Sequence, residues 1–153
     1  MFTHKDLYNF WLCSTGVWDS LLVTVTVNLL DKQELISISQ IHHLDRVEFG
    51  VKMNWNYKKK PQSGTMSWCV DANQPNLVFT NKGLTTEDPC VLNYQLLAAN
   101  KLVITVGKLE ETFFLASHKR RLRELRYEGK LVRRLWEKKI SSEIPQSCIS
   151  IAS

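Results

Sequence analysis

Four charged side chains, Glu111, Arg121, Arg123 and Arg134, stand in this sequence where apolar ones are expected. In the segment 109–116, Glu111 keeps step with Leu109, Phe113 and Leu115. In the next segment Arg121 and Arg123 alternate with Leu125 and Tyr127, and in the last Arg134 alternates with Val132 and Trp136. Alternate residues of a strand share a face, so each charge is expected on an apolar one. A carboxylate or guanidinium turned towards an apolar interior is costly unless it is paired. Either these groups form internal salt bridges, or they line a cavity that binds an organic anion. The chemistry of the second reading is specific: the arginine fork matches a carboxylate bidentately, and a buried carboxylate accepts hydrogen bonds from ligand N–H groups. Met66, Trp68 and Val70 share one face of 65–71 and form an apolar wall, either of such a cavity or of a plain core.

Other chemistries leave no trace. The chain has no G-x-S-x-G, P-loop, G-x-G-x-x-G or H-E-x-x-H pattern. His42 and His43 adjoin a strand end, where neighbouring side chains point opposite ways and read as a surface pair. Cys13, Cys69, Cys90 and Cys148 include no C-x-x-C pair, a spacing unsuited to zinc or to a disulfide scaffold, so they read as buried thiols of a reducing compartment. No metal is expected.

The elements that must position these groups are mostly strands. Thr3 and Asp6 have capping-box spacing, Leu7, Phe10 and Trp11 fall on one helical face, and Gly16 suits the exit, which predicts a helix over 3–13. From Val17 onward the period is two. The clearest case puts Val47, Phe49, Val51, Met53, Trp55 and Tyr57 on one face of 46–57. Further strands are predicted at 17–30, 34–44, 65–71, 76–80, 90–97, 102–107, 109–116, 120–127 and 131–139, separated by turn residues such as Asn81-Lys82-Gly83 and Glu128-Gly129-Lys130. About ten strands with short connections imply an all-β antiparallel meander closed into a barrel. Residues 1–140 are expected to form this single domain, followed by a polar, fraying tail over 141–153.

Composition agrees with a globular domain. The chain has 153 residues, 44% hydrophobic and 23% charged, and no apolar run long enough for a transmembrane helix. Its polar start, Met1-Phe2-Thr3-His4-Lys5-Asp6, is unlike a signal peptide, and no Asn-x-Ser/Thr acceptor occurs, so a cytosolic location is expected. The net charge of +5 is uneven: between His118 and Lys139 ten Lys/Arg meet three acids. That segment invites a nucleic-acid reading. However, the aromatics fall largely on apolar faces of other strands and no RNP or KH pattern appears, so neither a nucleic-acid nor a membrane partner is expected. A fatty-acid carrier needs a similar barrel, but would give the Glu111 carboxylate nothing to accept.

Glu110-Glu111-Thr112-Phe113-Phe114-Leu115-Ala116-Ser117 followed by Arg121-Leu122-Arg123 resembles a stretch of the S-type phycobiliprotein chromophore lyases. Phe10, Ser14, Gly16, Trp18 and Ser20 resemble that family's opening pattern, and Gly64-Thr65-Met66-Ser67-Trp68 resembles one of its strands. The family's Arg and His after the opening are Leu22 and Val25 here, and its Pro-Asn before the arginine pair is His118-Lys119. The resemblance implies a lipocalin-like barrel that binds a linear tetrapyrrole, a bilin, as substrate and not as cofactor. It implies delivery to a cysteine of an apo-phycobiliprotein subunit, in a cyanobacterial cytosol or plastid stroma, alone or as a homodimer or heterodimer with a second lyase subunit. Arg121 and Arg123 would hold the propionates, and Arg134, from its place on an apolar parity, is a further candidate for ligand binding. Met66 and Trp68 would pack on the rings, and Glu111 would act catalytically by favouring the protonated, more electrophilic bilin. The cysteines of this chain are expected to carry no adduct.

Overall fold

The computed structural model describes residues 2–41, 43–44, 46–71, 76–82 and 90–141, with side chains described except at 41, 76–82 and 90–92. The element order is α1 (His4–Ser14), β1 (Gly16–Asp19), β2 (Val23–Leu29), α2 (Lys32–Ile41), β3 (Val47–Tyr57), β4 (Ser63–Asp71), β5 (Asn76–Lys82), β6 (Cys90–Ala98), β7 (Lys101–Val106), β8 (Leu109–Ser117), β9 (Arg120–Tyr127) and β10 (Lys130–Ser141). Each strand pairs antiparallel with its sequence neighbour, and β1 pairs with β10, so the ten strands close into a barrel. The all-β antiparallel barrel and its N-terminal helix are as the alternation predicts.

Helix α1 begins where capping chemistry places it. The Thr3 hydroxyl accepts from the Asp6 amide at 3.3 Å while Asp6 Oδ2 accepts from the Thr3 amide at 2.7 Å, a reciprocal arrangement that satisfies two of the helix's free donors. The helix ends at Ser14 with Thr15 as its C-cap, and the chain turns into β1 at Gly16, whose φ of 129° disfavours any residue with a Cβ. Leu7, Phe10 and Trp11 are buried and plug one end of the barrel. Trp11 stacks on Trp68 with ring centroids 5.4 Å apart and meets Phe113 edge-on at 5.6 Å. Burying each of these rings stabilises the fold by about 1.5–3 kcal/mol, which makes α1 part of the core.

Three expectations need correction. The segment 17–30 is not one strand: β1 and β2 are separated by a turn in which the Ser20 hydroxyl donates to the Val23 carbonyl at 2.8 Å and accepts from its amide at 3.2 Å. The segment 34–44 is not a strand but carries α2. Its alternating Ile36-Ser37-Ile38-Ser39 imitates period two, yet Asp31 and Glu34 form an N-terminal box, with amide–carboxylate distances of 2.8 and 3.2 Å, that starts a helix. The two errors offset each other in the strand count. Leu30 and Leu35 of this region close over Gly50, where a Cβ would collide with Leu30 and the Trp68 carbonyl. Third, Cys13 is not a thiol: it is disulfide-bonded, while Cys69 is free and buried. Spacing along the chain does not govern which sulfurs a barrel brings together, and the bond removes the cysteine argument for a reducing compartment. The side chains of Cys90 and Cys148, and the tail over 142–153, lie outside the described residues. Among the described residues no helix is long and apolar enough to cross a membrane.

Candidate functional site

The barrel end opposite α1 opens into a cavity of about 200 Å³ lined by Val23, Val25, Met53, Trp55, Tyr57, Met66, Trp68, Glu111, Phe113, Arg123 and Arg133. The strand pleat explains the set: Met53, Trp55 and Tyr57 are the last inward positions of β3, and Met66 and Trp68 face them from β4. Trp55 pairs in register with Gly64, and its indole occupies the space a Cβ at Gly64 would need. That glycine lets a flat ring line the wall.

Opposite this aromatic wall lie the charged groups, in two layers. In the upper layer Arg123 donates to Glu111 Oε1 through Nε at 2.9 Å and Nη2 at 2.6 Å, and reaches Glu137 Oε2 at 3.4 Å. Both strong contacts use Oε1, which leaves Glu111 Oε2 without a partner among the described residues. Burial opposes the charge on Arg123, but Glu111 and Glu137 outweigh it and hold its pKa above the usual arginine value. Arg133, on β10, lines the same cavity and has no ion pair among the described residues.

In the lower layer Arg121 is fully buried and donates from Nε to Glu137 Oε1 at 2.7 Å. Its Nη1 and Nη2 find no hydrogen-bond acceptor. The guanidinium instead lies 4.5 Å from the Trp18 ring and 5.6 Å from that of Phe113, where the aromatic quadrupoles offset part of the lost solvation. Burial pulls the Arg121 pKa down and outweighs the support from Glu137. Burial also pushes the Glu137 carboxyl up, but Arg121 and Arg123 reverse the effect and hold it below the usual range. Nearby, the Lys139 ammonium donates to the Cys13 carbonyl at 3.2 Å. Burial, aided by repulsion from Arg121, lowers its pKa to about 8. In the cavity wall itself the cations Arg123 and Arg133 face one carboxylate, Glu111. The imbalance favours an anionic ligand.

The residues singled out from sequence divide accordingly. Met66, Trp68, Glu111 and Arg123 meet at the cavity. Arg121 does not reach it. Arg134 is on the outside of the barrel, bonded to Glu124 at 2.8 Å. The inward parity of β10 is Arg133, Leu135, Glu137 and Lys139, one residue out of step with the expected set. A register irregularity between Leu131 and Arg133 marks the place, and a one-residue slip exchanges the faces of a strand. Arg133, Glu137, Trp55 and Tyr57 are the site residues that sequence reasoning missed. The buried Leu135 between two charged positions was the available signal for the first two. Of the histidine pair, His43 is exposed and His42 lies outside the described residues. No cluster of metal-ligating side chains occurs among the described residues. Burial raises the Cys69 pKa to about 12, so it offers no thiolate near neutral pH.

Comparison with known protein families, curated proteins and solved structures returned no match.

Proposed function

We propose that this barrel binds a linear tetrapyrrole and presents it to a cysteine of an apo-phycobiliprotein subunit. The observation that carries the reading is the convergence of Met66, Trp68, Glu111 and Arg123 on one open cavity, with Arg133, which has no ion pair among the described residues, in its wall. A bilin matches that chemistry in three respects. Its conjugated rings suit the Trp55, Met66 and Trp68 wall, its pyrrole N–H groups suit Glu111 Oε2, and a propionate suits the Arg133 fork. Arg133 takes, beside Arg123, the anchoring role that the resemblance gave to Arg121. A volume of about 200 Å³ is below the roughly 300–1,000 Å³ of sites that enclose a whole ligand. Part of the bilin therefore extends across the mouth, where its ethylidene carbon remains within reach of an acceptor.

In the transfer the acceptor's thiolate forms the new carbon–sulfur bond at the ethylidene carbon, and the thiol proton ends on the tetrapyrrole, so nothing leaves. This chain contributes by holding the bilin in one conformation and orientation, with the Glu111 carboxylate favouring its protonated form. Absorbance titration with phycocyanobilin and phycoerythrobilin tests the binding step. The expected result is a saturable spectral shift, weakened about ten- to a hundredfold by Arg133→Ala and by the bilin dimethyl ester on the unmutated protein. A flat titration with both bilins sinks the reading. The small volume favours a second reading, a carrier of a smaller organic carboxylate. Under that reading a fluorescent fatty acid would bind and neither bilin would displace it.

A further inference from the structure

The rim of the cavity is made by hairpin ends, and it exposes apolar side chains that the turns themselves do not require. Turns favour Gly, Asn, Asp, Ser and Pro, yet the β1–β2 turn presents Leu21 at 89% exposure and Leu22 at 49%. Proceeding round the closed sheet, the β9–β10 end adds exposed Tyr127, Lys130 and Leu131, and the β7–β8 end adds Val106, Lys108 and Leu109. The β3–β4 end adds Lys58, Lys59 and Lys60, and is tied to the first turn by the Lys58 amide donating to the Leu22 carbonyl at 3.0 Å. Asp19 holds Lys58 and Glu128 holds Lys108, each at 2.7 Å. Lys59, Lys60 and Lys130 have no ion pair among the described residues.

Nothing in the barrel needs this collar. Leu21, Leu22 and Leu131 leave 89%, 49% and 44% of their surface exposed, and the three lysines make no ion pair among the described residues. A local rule broken without a compensating internal contact marks a site of function, and clustered exposed apolar groups mark an interaction surface. We infer that the collar of Leu21, Leu22, Leu131, Lys59, Lys60 and Lys130 docks the mouth of the cavity against an acidic face of the protein that accepts the ligand. This rests on the ligand-transfer reading above for the identity of the partner.

Charge selects that occupant. A second copy meeting this one across the collar would set lysine against lysine, since a two-fold interface pairs a patch with itself. A partner bearing carboxylates would face the lysines, with the leucines as the apolar centre of a contact whose rim is charged. A bilayer is disfavoured because the apolar groups alternate with cations from hairpin to hairpin and form no continuous face to insert. On the other basic surface, the outside of β9 and β10, the arginines are engaged: Glu124 holds Arg134 and Arg126 at 2.7 and 3.6 Å, and Arg120 lies over Trp136, which leaves Lys138 as the exposed cation to test there.

The test uses the full chain, unloaded and bilin-loaded, with apo-phycobiliprotein subunits as probe. Lys59→Glu combined with Lys60→Glu, and separately Leu21→Ser, should leave bilin titrations unchanged. They should slow association with the apo-subunit, and transfer to it, about tenfold or more and flatten the salt dependence, as rim charges govern encounter. Lys138→Glu on the outer face of β10 should have little effect. Unchanged association in the collar variants overturns the inference while a positive bilin titration keeps the ligand reading. A flat titration with collar-dependent association of the unloaded barrel does the reverse. Loss of association in Lys138→Glu alone moves the docking face to β9–β10. Binding to phosphatidylserine vesicles, abolished by the collar variants while the apo-subunit does not bind, replaces the protein partner with a membrane.

Discussion

Two arginines two residues apart on one strand, Arg121 and Arg123, have been put to different uses. Arg121 is sealed beneath Trp18 and Phe113 with one carboxylate, Glu137, and two idle nitrogens. Arg123 lies one inward step nearer the mouth, shares Glu111 and Glu137, and borders the open cavity beside Arg133. Depth accounts for the difference. A charge beyond the reach of solvent is an internal brace whose removal is felt in stability. A charge at the wall can exchange part of its contacts for those of a ligand, and its removal is felt in affinity.

The largest expected effect falls on the sealed layer. Glu137→Gln leaves Arg121 buried without a counter-charge and should cost about 3–5 kcal/mol of unfolding free energy, read from urea denaturation. Replacing both partners, Arg121→Met with Glu137→Leu, should recover most of the loss, because apolar groups of similar size often replace a buried pair without penalty. A loss below about 1 kcal/mol in Glu137→Gln would mean that solvent reaches the lower layer after all. Next comes the wall: Arg133→Ala should leave stability within about 0.5 kcal/mol while weakening bilin binding about ten- to a hundredfold. If that substitution unfolds the protein instead, the division between brace and wall is wrong.

A smaller effect of the sealed layer is read by pH. Burial lowers the Lys139 pKa to about 8 from the usual 10.5, so between these values the unfolded chain binds more protons than the folded one. Stability from this group therefore rises with pH across that window, and Lys139→Met should flatten the rise in thermal unfolding scans. On the acid side the slope has the same sign, for a different reason: there the charged form is stabilised by folding instead of penalised. Glu137 is held below the usual carboxylate range, so its contribution is complete above that range and is lost as the pH falls through the folded value. The smallest effect is on the outside: Arg134→Ala breaks an exposed pair with Glu124 and should change stability by no more than about 0.5 kcal/mol and affinity not at all.

The barrel was legible because alternation is a strong signal wherever one face is buried, as in Val47 to Tyr57. It failed where local chemistry imitated it. Ile36-Ser37-Ile38-Ser39 alternates on a helix started by Asp31 and Glu34, and the Ser20 turn stands just before the β-branched run Val23 to Val27, with no Gly or Pro to mark it. Half of the site was legible for the same reason, since Glu111 and Arg123 are charges on an apolar parity in β8 and β9. The other half depended on β10, where the irregularity at Leu131–Arg133 turns Arg134 out and Arg133 in. The marker on that strand was Leu135 between Arg133 and Glu137, against the competing parity of Val132, Arg134 and Trp136. The Cys13 disulfide was hidden because pairing in space does not follow spacing along the chain.

The pairing of β1 with β10 has a kinetic consequence. Trp18 lies opposite Lys139, and the Lys139 ammonium bonds a carbonyl 126 positions earlier. Such distant pairings slow folding, because the intervening loop must be ordered before they form. Until β10 docks, β1 exposes an unpaired edge bearing Val17 and Trp18, open to pairing with another chain. A growing or refolding molecule is thus at its most adhesive just before the ring shuts. Dilution, or a chaperone that covers β1, should raise the yield of refolding more than any improvement of the core.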